Sequence, residues 1–248
     1  MRKKAFIFGS GSAIAAEVAV ELLRTGYDLC LVYRDSAKHD LLLQRLQKGA
    51  PEIRVHSVYA DLADASLHEE VWRQLEHAAG APDIVLVCFG SLTDQVRAEK
   101  ELDYLRSELV LNGVNVTNLL TLAAGKIQPG RSSAIAALNS VAGDRGRRSN
   151  FAYGAAKGMV STFMSGLMCR MADAQVRVID FRLGRVRTPM TQGLTQTGPM
   201  WSEPAGIAAD IVKALESRSG VVYIPGYWRW VMMIICALPR RVFVRVKL

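Results

Sequence analysis

The chain has 248 residues, 50% of them hydrophobic, which is enough to bury one substantial core and suits a single α/β domain. Its net charge of +8 comes without the aromatic-interleaved basic motif or zinc-finger spacing of a nucleic-acid reader, so no nucleic-acid partner is expected. Cys30, Cys88, Cys169 and Cys236 are too scattered for a disulfide framework or a zinc site, and read as reduced thiols of a cytoplasmic protein that holds no metal. The basic start at Met1 precedes only four apolar residues before a glycine, which reads as a first strand and not as a secretory segment.

Short β-rich apolar runs alternate along the chain with longer segments of helical period. Strands are expected at residues 5–8, 29–33, 53–59, 84–88, 133–138, 176–181 and 221–224. Helices are expected at 13–25, 38–48, 65–78, 102–124, 150–172 and 203–217, the helix at 150–172 capped by Ser149 or Asn150. This alternation predicts stacked βαβ units, hence a doubly wound parallel sheet of about seven strands in the Rossmann manner. The expected organisation is one catalytic and dinucleotide-binding domain over 1–226 and an apolar, basic tail over 227–248. Residues 187–201, rich in Thr, Gly, Gln and Pro, follow the carboxyl end of a strand and are expected to form a substrate lid.

Gly9, Ser10, Gly11, Ser12, Ala13 and Ile14 follow the first strand and open the first helix, where backbone N–H groups receive a nucleotide diphosphate. Alanine stands at the last glycine position of the usual Gly-x-Gly-x-x-Gly spacing. The second strand ends at Tyr33 with Arg34 next, which favours the extra phosphate of NADPH; Asp35 keeps NADH open if it faces the ribose instead. Asp61, with Leu62 beside it, ends the third strand as an acceptor for an adenine amino group or as a helix cap.

Tyr153 and Lys157 are spaced i, i+4 and share one face of a helix, so the ammonium is expected to lower the phenol's pKa and make it a usable proton donor. Ser140 ends the fifth strand without a nucleophile elbow around it, and the four histidines all lie early in the chain. A hydrolase triad is therefore not read here.

Taken in order, Gly9 to Ala15, Asp61, Asn112, Ser140, Tyr153-x-x-x-Lys157 and Gly184-x-x-x-Thr188 resemble the short-chain dehydrogenase/reductase family across almost the whole chain. The resemblance implies an NAD(P)-dependent oxidoreductase acting on C=O and CH–OH groups. Tyr153 would be the general acid, Lys157 would tune it and hold the nicotinamide ribose, and Ser140 would orient the carbonyl. Asn112, rather than nearby Asn115, would anchor the water of a proton relay. Gly90, the one glycine kept after the fourth strand, Gly184, Val186 and Thr188 would complete the cofactor site. The chain departs from the family in having Val87-Cys88-Phe89-Gly90 for Asn-Asn-Ala-Gly, and Leu183-Gly184 for Pro-Gly.

Arg145, Arg147 and Arg148 border the expected mouth and suit either a substrate phosphate or a solvated surface or oligomer contact. Their segment and Tyr227-Trp228-Arg229-Trp230 resemble a bacterial branch similar to the decaprenyl-phosphoryl 2-keto-pentose reductase. That resemblance implies a lipid-linked keto sugar as substrate, handled at the inner face of the plasma membrane. The apolar run 230–238 with its cationic flanks suits either a membrane interface or a homodimer or homotetramer contact. Two other readings stay open at this point: a soluble reductase of a small ketone or acyl thioester, and a non-catalytic dinucleotide-binding protein on the same fold.

Overall fold

The computed structural model describes residues 2–49, 54–130 and 132–246. In chain order the elements are β1 (Lys4–Phe8), α1 (Ala13–Arg24), β2 (Asp28–Tyr33), α2 (Ser36–Gly49), β3 (Val55–Tyr59), α3 (His68–Ala79), β4 (Ile84–Val87), α4 (Gln95–Ala98), α5 (Leu102–Leu109) and α6 (Asn115–Lys126). They continue with β5 (Ala134–Ser140), α7 (Phe151–Met171), β6 (Arg177–Leu183), β7 (Arg185–Val186), β8 (Trp201–Ser202), α8 (Pro204–Ser217), β9 (Gly220–Ile224), α9 (Trp228–Ala237) and α10 (Arg240–Phe243).

Seven strands form one parallel sheet in the order β3-β2-β1-β4-β5-β6-β9. Central strands of such a sheet are covered on both faces, which is why β1, β2 and β4 are apolar runs and not alternating patterns. On one face Phe6 and Phe8 pack against Trp72 of α3, beside Leu119 of α6 and Met164 of α7. On the other, Leu22 of α1, Leu42 of α2 and Ile211 of α8 close over Ile7, Leu31 and Phe181. The strand order reverses between β1 and β4. This opens a crevice at the carboxyl ends of the strands, where ligands bind in this architecture.

All seven expected strands of the sheet are present; Ile53, the first residue of the third expected strand, lies outside the described residues. The largest departure is at 102–124, expected as one helix. A π turn, Val110–Val114, separates α5 from α6 there. It buries Asn112, whose side chain is held by Ser91 and Glu108, and sets Gly113 against α7, where a Cβ would lie 3.0 Å from Met159 Sδ. Such π turns cluster at functional sites. The expected helix at 65–78 also begins differently, as a 3₁₀ turn at Ala65–Leu67 that Asp64 caps through Ser66 N. The tail, expected only as an apolar segment, is the helical pair α9 and α10, and the inner face of α9 packs on Val141.

Candidate active site

A cavity of about 500 Å³ lies at the crevice, lined by the Gly9–Ile14 turn, Tyr33, Arg34, Asp61, Leu62, Gly90 and Thr188. Gly9 has φ +91°, and a Cβ there would lie 2.8 Å from Phe89 N, so only glycine fits this turn. A Cβ on Gly11, by contrast, would meet open space. Ser10 turns inward, since both its N–H and its hydroxyl donate to Val32 O. Ser12 is the N-cap of α1 but makes no side-chain cap bond, and the first turn carries no acid. Ala13 and Ile14 therefore start a helix whose first N–H groups have no side-chain partner, at a point where the macrodipole favours an anion. This glycine turn, open helix end and bordering arginine fit the diphosphate and ribose of a nicotinamide dinucleotide.

At the other end of the cavity Arg34 NH1 lies 3.1 Å from Asp61 Oδ1, with both side chains well exposed. Asp35 borders the same cavity, but its carboxylate is engaged by Lys38. It accepts from Lys38 N at 3.1 Å and pairs with Lys38 Nζ at 3.0 Å, so it serves as a cap of α2. Asp61 also accepts from Ala63 N, so it shapes its own turn while bordering the cavity.

The nicotinamide end is reached through Gly90, where a Cβ would stand 2.5 Å from Asn112 Oδ1 and 3.9 Å from Lys157 Nζ. The π turn thus brings Asn112 beside Lys157. Asn115 points elsewhere and ties its helix to Leu62 O and Ala63 O. Ser140 ends β5, Tyr153 and Lys157 stand in the first and second turns of α7, and the Ser140 hydroxyl is near enough to the phenol to favour its ionised form. Ser140, Asn112, Tyr153 and Lys157 therefore gather behind Gly90, which lines the cavity.

Electrostatically the cluster differs from the expected arrangement. The Tyr153 phenol is pushed up to about 12 by burial, with Ser140 opposing, and Lys157 is not among the groups that lower it. The ammonium lies 5.6 Å from the ring centroid. Lys157, 4% exposed, is itself brought down to about 8 by burial, against the pull of Asp180. A lysine lowered on folding costs stability while protonated. The unfolded chain binds the extra proton between the two values, so stability rises with pH across that window. We expect the unfolding free energy of the wild type to gain on that of Lys157→Met between pH 8 and about 10.5, as read by urea denaturation at several pH values. A constant difference across that range would refute the lowered value.

Several residues around the cluster carry no local sequence signal. Glu108 accepts from Ser91 Oγ at 2.7 Å, Thr93 Oγ1 at 2.8 Å and Asn112 Nδ2 at 3.3 Å, which fixes the loop after β4 against the π turn. The expected cap of α7 by Ser149 or Asn150 is not made. Asn150 holds the N-cap position without a side-chain bond, and Gln95 of α4 accepts from Ala152 N at 2.9 Å instead. Such a cap from far along the chain leaves no pattern to read.

Three assignments move. Gly184, expected to line the nicotinamide, packs beneath Trp228, where a Cβ would come within 1.8 Å of the indole Nε1. That glycine makes room for the tail. Val186 is likewise buried in the short β7–β8 ladder, which closes the base of the loop expected as a lid; Thr188 does border the cavity. Arg145, expected to face a substrate phosphate, donates to Ile235 O, Cys236 O and Leu238 O and stacks 3.8 Å from the Phe243 ring centroid. The last carbonyls of α9 attract a cation more strongly than open water does. Arg147 contacts Met232 Sδ, and its Nε is buried with no partner.

The short chain dehydrogenase family model matches residues 3–198 of this chain. The chain is 33% identical over 243 residues to an uncharacterised oxidoreductase of Mycobacterium tuberculosis (strain ATCC 25618 / H37Rv), covering 97% of this chain and 95% of that one. Among solved structures it is similar to levodione reductase, with a TM-score of 0.82 at 22% identity, covering 91% of this chain and 97% of that one. It is also similar to BdcA in complex with NADPH, with a TM-score of 0.72 at 20% identity, covering 89% and 93% of the two chains. With the glycine turn, the crevice and the clustered Ser140, Tyr153 and Lys157, the chain belongs to the short-chain dehydrogenase family and is an NAD(P)-dependent oxidoreductase.

Proposed function

We propose that this protein is an NADPH-dependent reductase of a ketone or other carbonyl, with Tyr153 as general acid. The observation that carries this reading is the grouping of Ser140 and Tyr153 with the buried Lys157 and Asn112 behind Gly90, which lines the dinucleotide cavity. When bound, the reduced nicotinamide supplies hydride to the carbonyl carbon. Tyr153 holds its proton firmly at neutral pH and gives it up only to an oxygen on which negative charge is developing. Ser140 donates to the same oxygen, and the Lys157 cation stabilises the phenolate left behind. Asn112, held by Ser91 and Glu108, keeps a polar route open behind Lys157 for the replacement proton. The direct test is NADPH oxidation against a panel of ketones and aldehydes. Turnover of none of them, with NADPH bound, would favour a non-catalytic dinucleotide-binding protein.

The preference for NADPH rests on Arg34, the cation at the adenosine end, and on Asp35 being occupied as a cap. Removing a charged hydrogen bond to a phosphate costs about 1.5–3 kcal/mol, roughly a 10–150-fold rise in the KM for NADPH. Arg34→Ala is expected to show this with little change for NADH; equal effects on both would remove Arg34 as the selecting residue.

For the substrate we favour an anionic, lipid-linked keto sugar such as one on a polyprenyl phosphate, over a small soluble ketone or acyl thioester. The support is Arg147, whose guanidinium is only partly satisfied and which lies in the field of Arg185, next to Gly184. Assembly as a homodimer or homotetramer is a further expectation, supported by a shallow apolar cavity on α7 lined by Met159, Phe163 and Leu167.

A further inference from the structure

We propose that α9 and the chain after it form an interfacial docking element that seats this protein on an anionic lipid bilayer. The inner face of α9 is fixed to the body of the protein: Trp228 and Met232 are 2% and 1% exposed against Val141, and Arg145 binds the carbonyls at the helix end. The outer face is also apolar. Trp230 is 59% exposed, Met233 55% and Ile234 62%, and Val242 and Val244 continue the exposed surface along α10. A helix that is apolar all round is ordinarily covered on all sides, and here one side has no cover among the described residues.

Charge decides what covers it. After Glu216 the sequence holds no acidic residue, while Arg218, Arg229, Arg240, Arg241, Arg245 and Lys247 follow. Arg229, Arg240, Arg241 and Arg245 are exposed and form no salt bridge among the described residues. A second copy related by a two-fold axis would set this cationic surface against itself, a like-charge cost that an interface avoids. An anionic lipid surface supplies the opposite charge, and its boundary region suits Trp230, an aromatic side chain with one polar edge. At ten residues α9 is far shorter than the roughly 20 residues a span needs, and no described helix is long and apolar enough to cross a membrane. The element therefore lies in the interface plane. Because Val141 and Arg145 belong to the segment between Ser140 and Tyr153, docking there also places the active-site mouth against the lipid surface.

The proposal stands apart from the reductase reading and is tested on the full chain by flotation with vesicles. Vesicles of phosphatidylcholine alone are compared with phosphatidylcholine containing phosphatidylglycerol, at low and high salt. Binding to the anionic vesicles only, reversed by salt, is the expected result. Two double variants, Trp230→Ser with Ile234→Ser and Arg240→Glu with Arg241→Glu, are each expected to lower the partition coefficient about tenfold or more. These side chains are exposed, so circular dichroism and NADPH oxidation with a soluble carbonyl should be unchanged. A wild-type chain that stays out of the anionic vesicles overturns the proposal. So does light scattering that shows the variants splitting a dimer while vesicle binding is unaffected, since the occupant is then a second copy. Vesicle binding and NADPH oxidation are read separately, so a chain that floats but oxidises no NADPH upholds docking and removes only the reductase reading.

Discussion

Tyr153→Phe is expected to lower kcat by roughly 10²–10⁴-fold, the usual contribution of a positioned general acid, with NADPH affinity unchanged. Phenylalanine keeps the ring that packs in α7 and deletes only the hydroxyl that Ser140 meets. The loss should therefore appear in kcat, because the proton is needed in the transition state and not in the ground state. Steady-state kinetics with any accepted carbonyl, alongside nicotinamide fluorescence on binding, separate the two effects. Turnover within a few-fold of wild type would show that the proton comes from another group, and the assignment of Tyr153 would fall.

The second large effect lies beneath the site. Asp180 of β6 is 0% exposed and accepts from Asn139 Nδ2 at 2.9 Å and Arg182 Nε at 3.0 Å. Arg182 also pairs with Asp144, which accepts from Tyr223 OH at 2.9 Å. Asn139 meets Lys157 O as well, so the network links β5, β6, β9 and α7 directly under Lys157. Asp180→Ala removes the central carboxylate and leaves buried cationic charge without it. Breaking a buried pair in this way costs about 3–5 kcal/mol, expected as a lower urea midpoint with an unchanged slope. Asp180→Asn keeps the shape and serves as the control for packing. Its expected effect is a further fall in the pKa of Lys157, because Asp180 is the leading group holding that ammonium charged against its burial. An Asp180→Ala variant that loses less than about 1 kcal/mol would mean the network is dispensable, within the range of ordinary surface changes.

How much of this was legible depended on the range of the interaction. The glycine turn, Ser140 and the Tyr153–Lys157 spacing are local patterns that follow a strand or share a helix face. Their convergence follows once the parallel sheet is assembled, because each sits at a strand's carboxyl end or just beyond. Asp61 and Arg34 were each legible as groups at strand tips, but their pairing across the cavity was not, since it joins the ends of β2 and β3. Glu108, Gln95 and Asp180 were illegible for the same reason. Their partners lie on other elements, and nothing in the neighbouring residues marks a carboxylate in a helix or strand as part of a site. Arg145 and Gly184 misled because each stood where the chemistry wanted it. Both are instead used by the tail, whose packing no local pattern records.

The sequence by itself determined the fold class, the parallel βαβ alternation, the place of the dinucleotide turn and the spacing of Tyr153 and Lys157 on one helix face. Each depends on hydrophobic period or on residues a few positions apart. Only the tertiary structure decided that the helix at 102–124 is interrupted to bring Asn112 to Gly90, that burial sets the proton affinities of Tyr153 and Lys157, and that α9 is clamped by Arg145 with one apolar face left outward. Those outcomes turn on desolvation and on contacts between distant segments, and neither exists until the chain has packed.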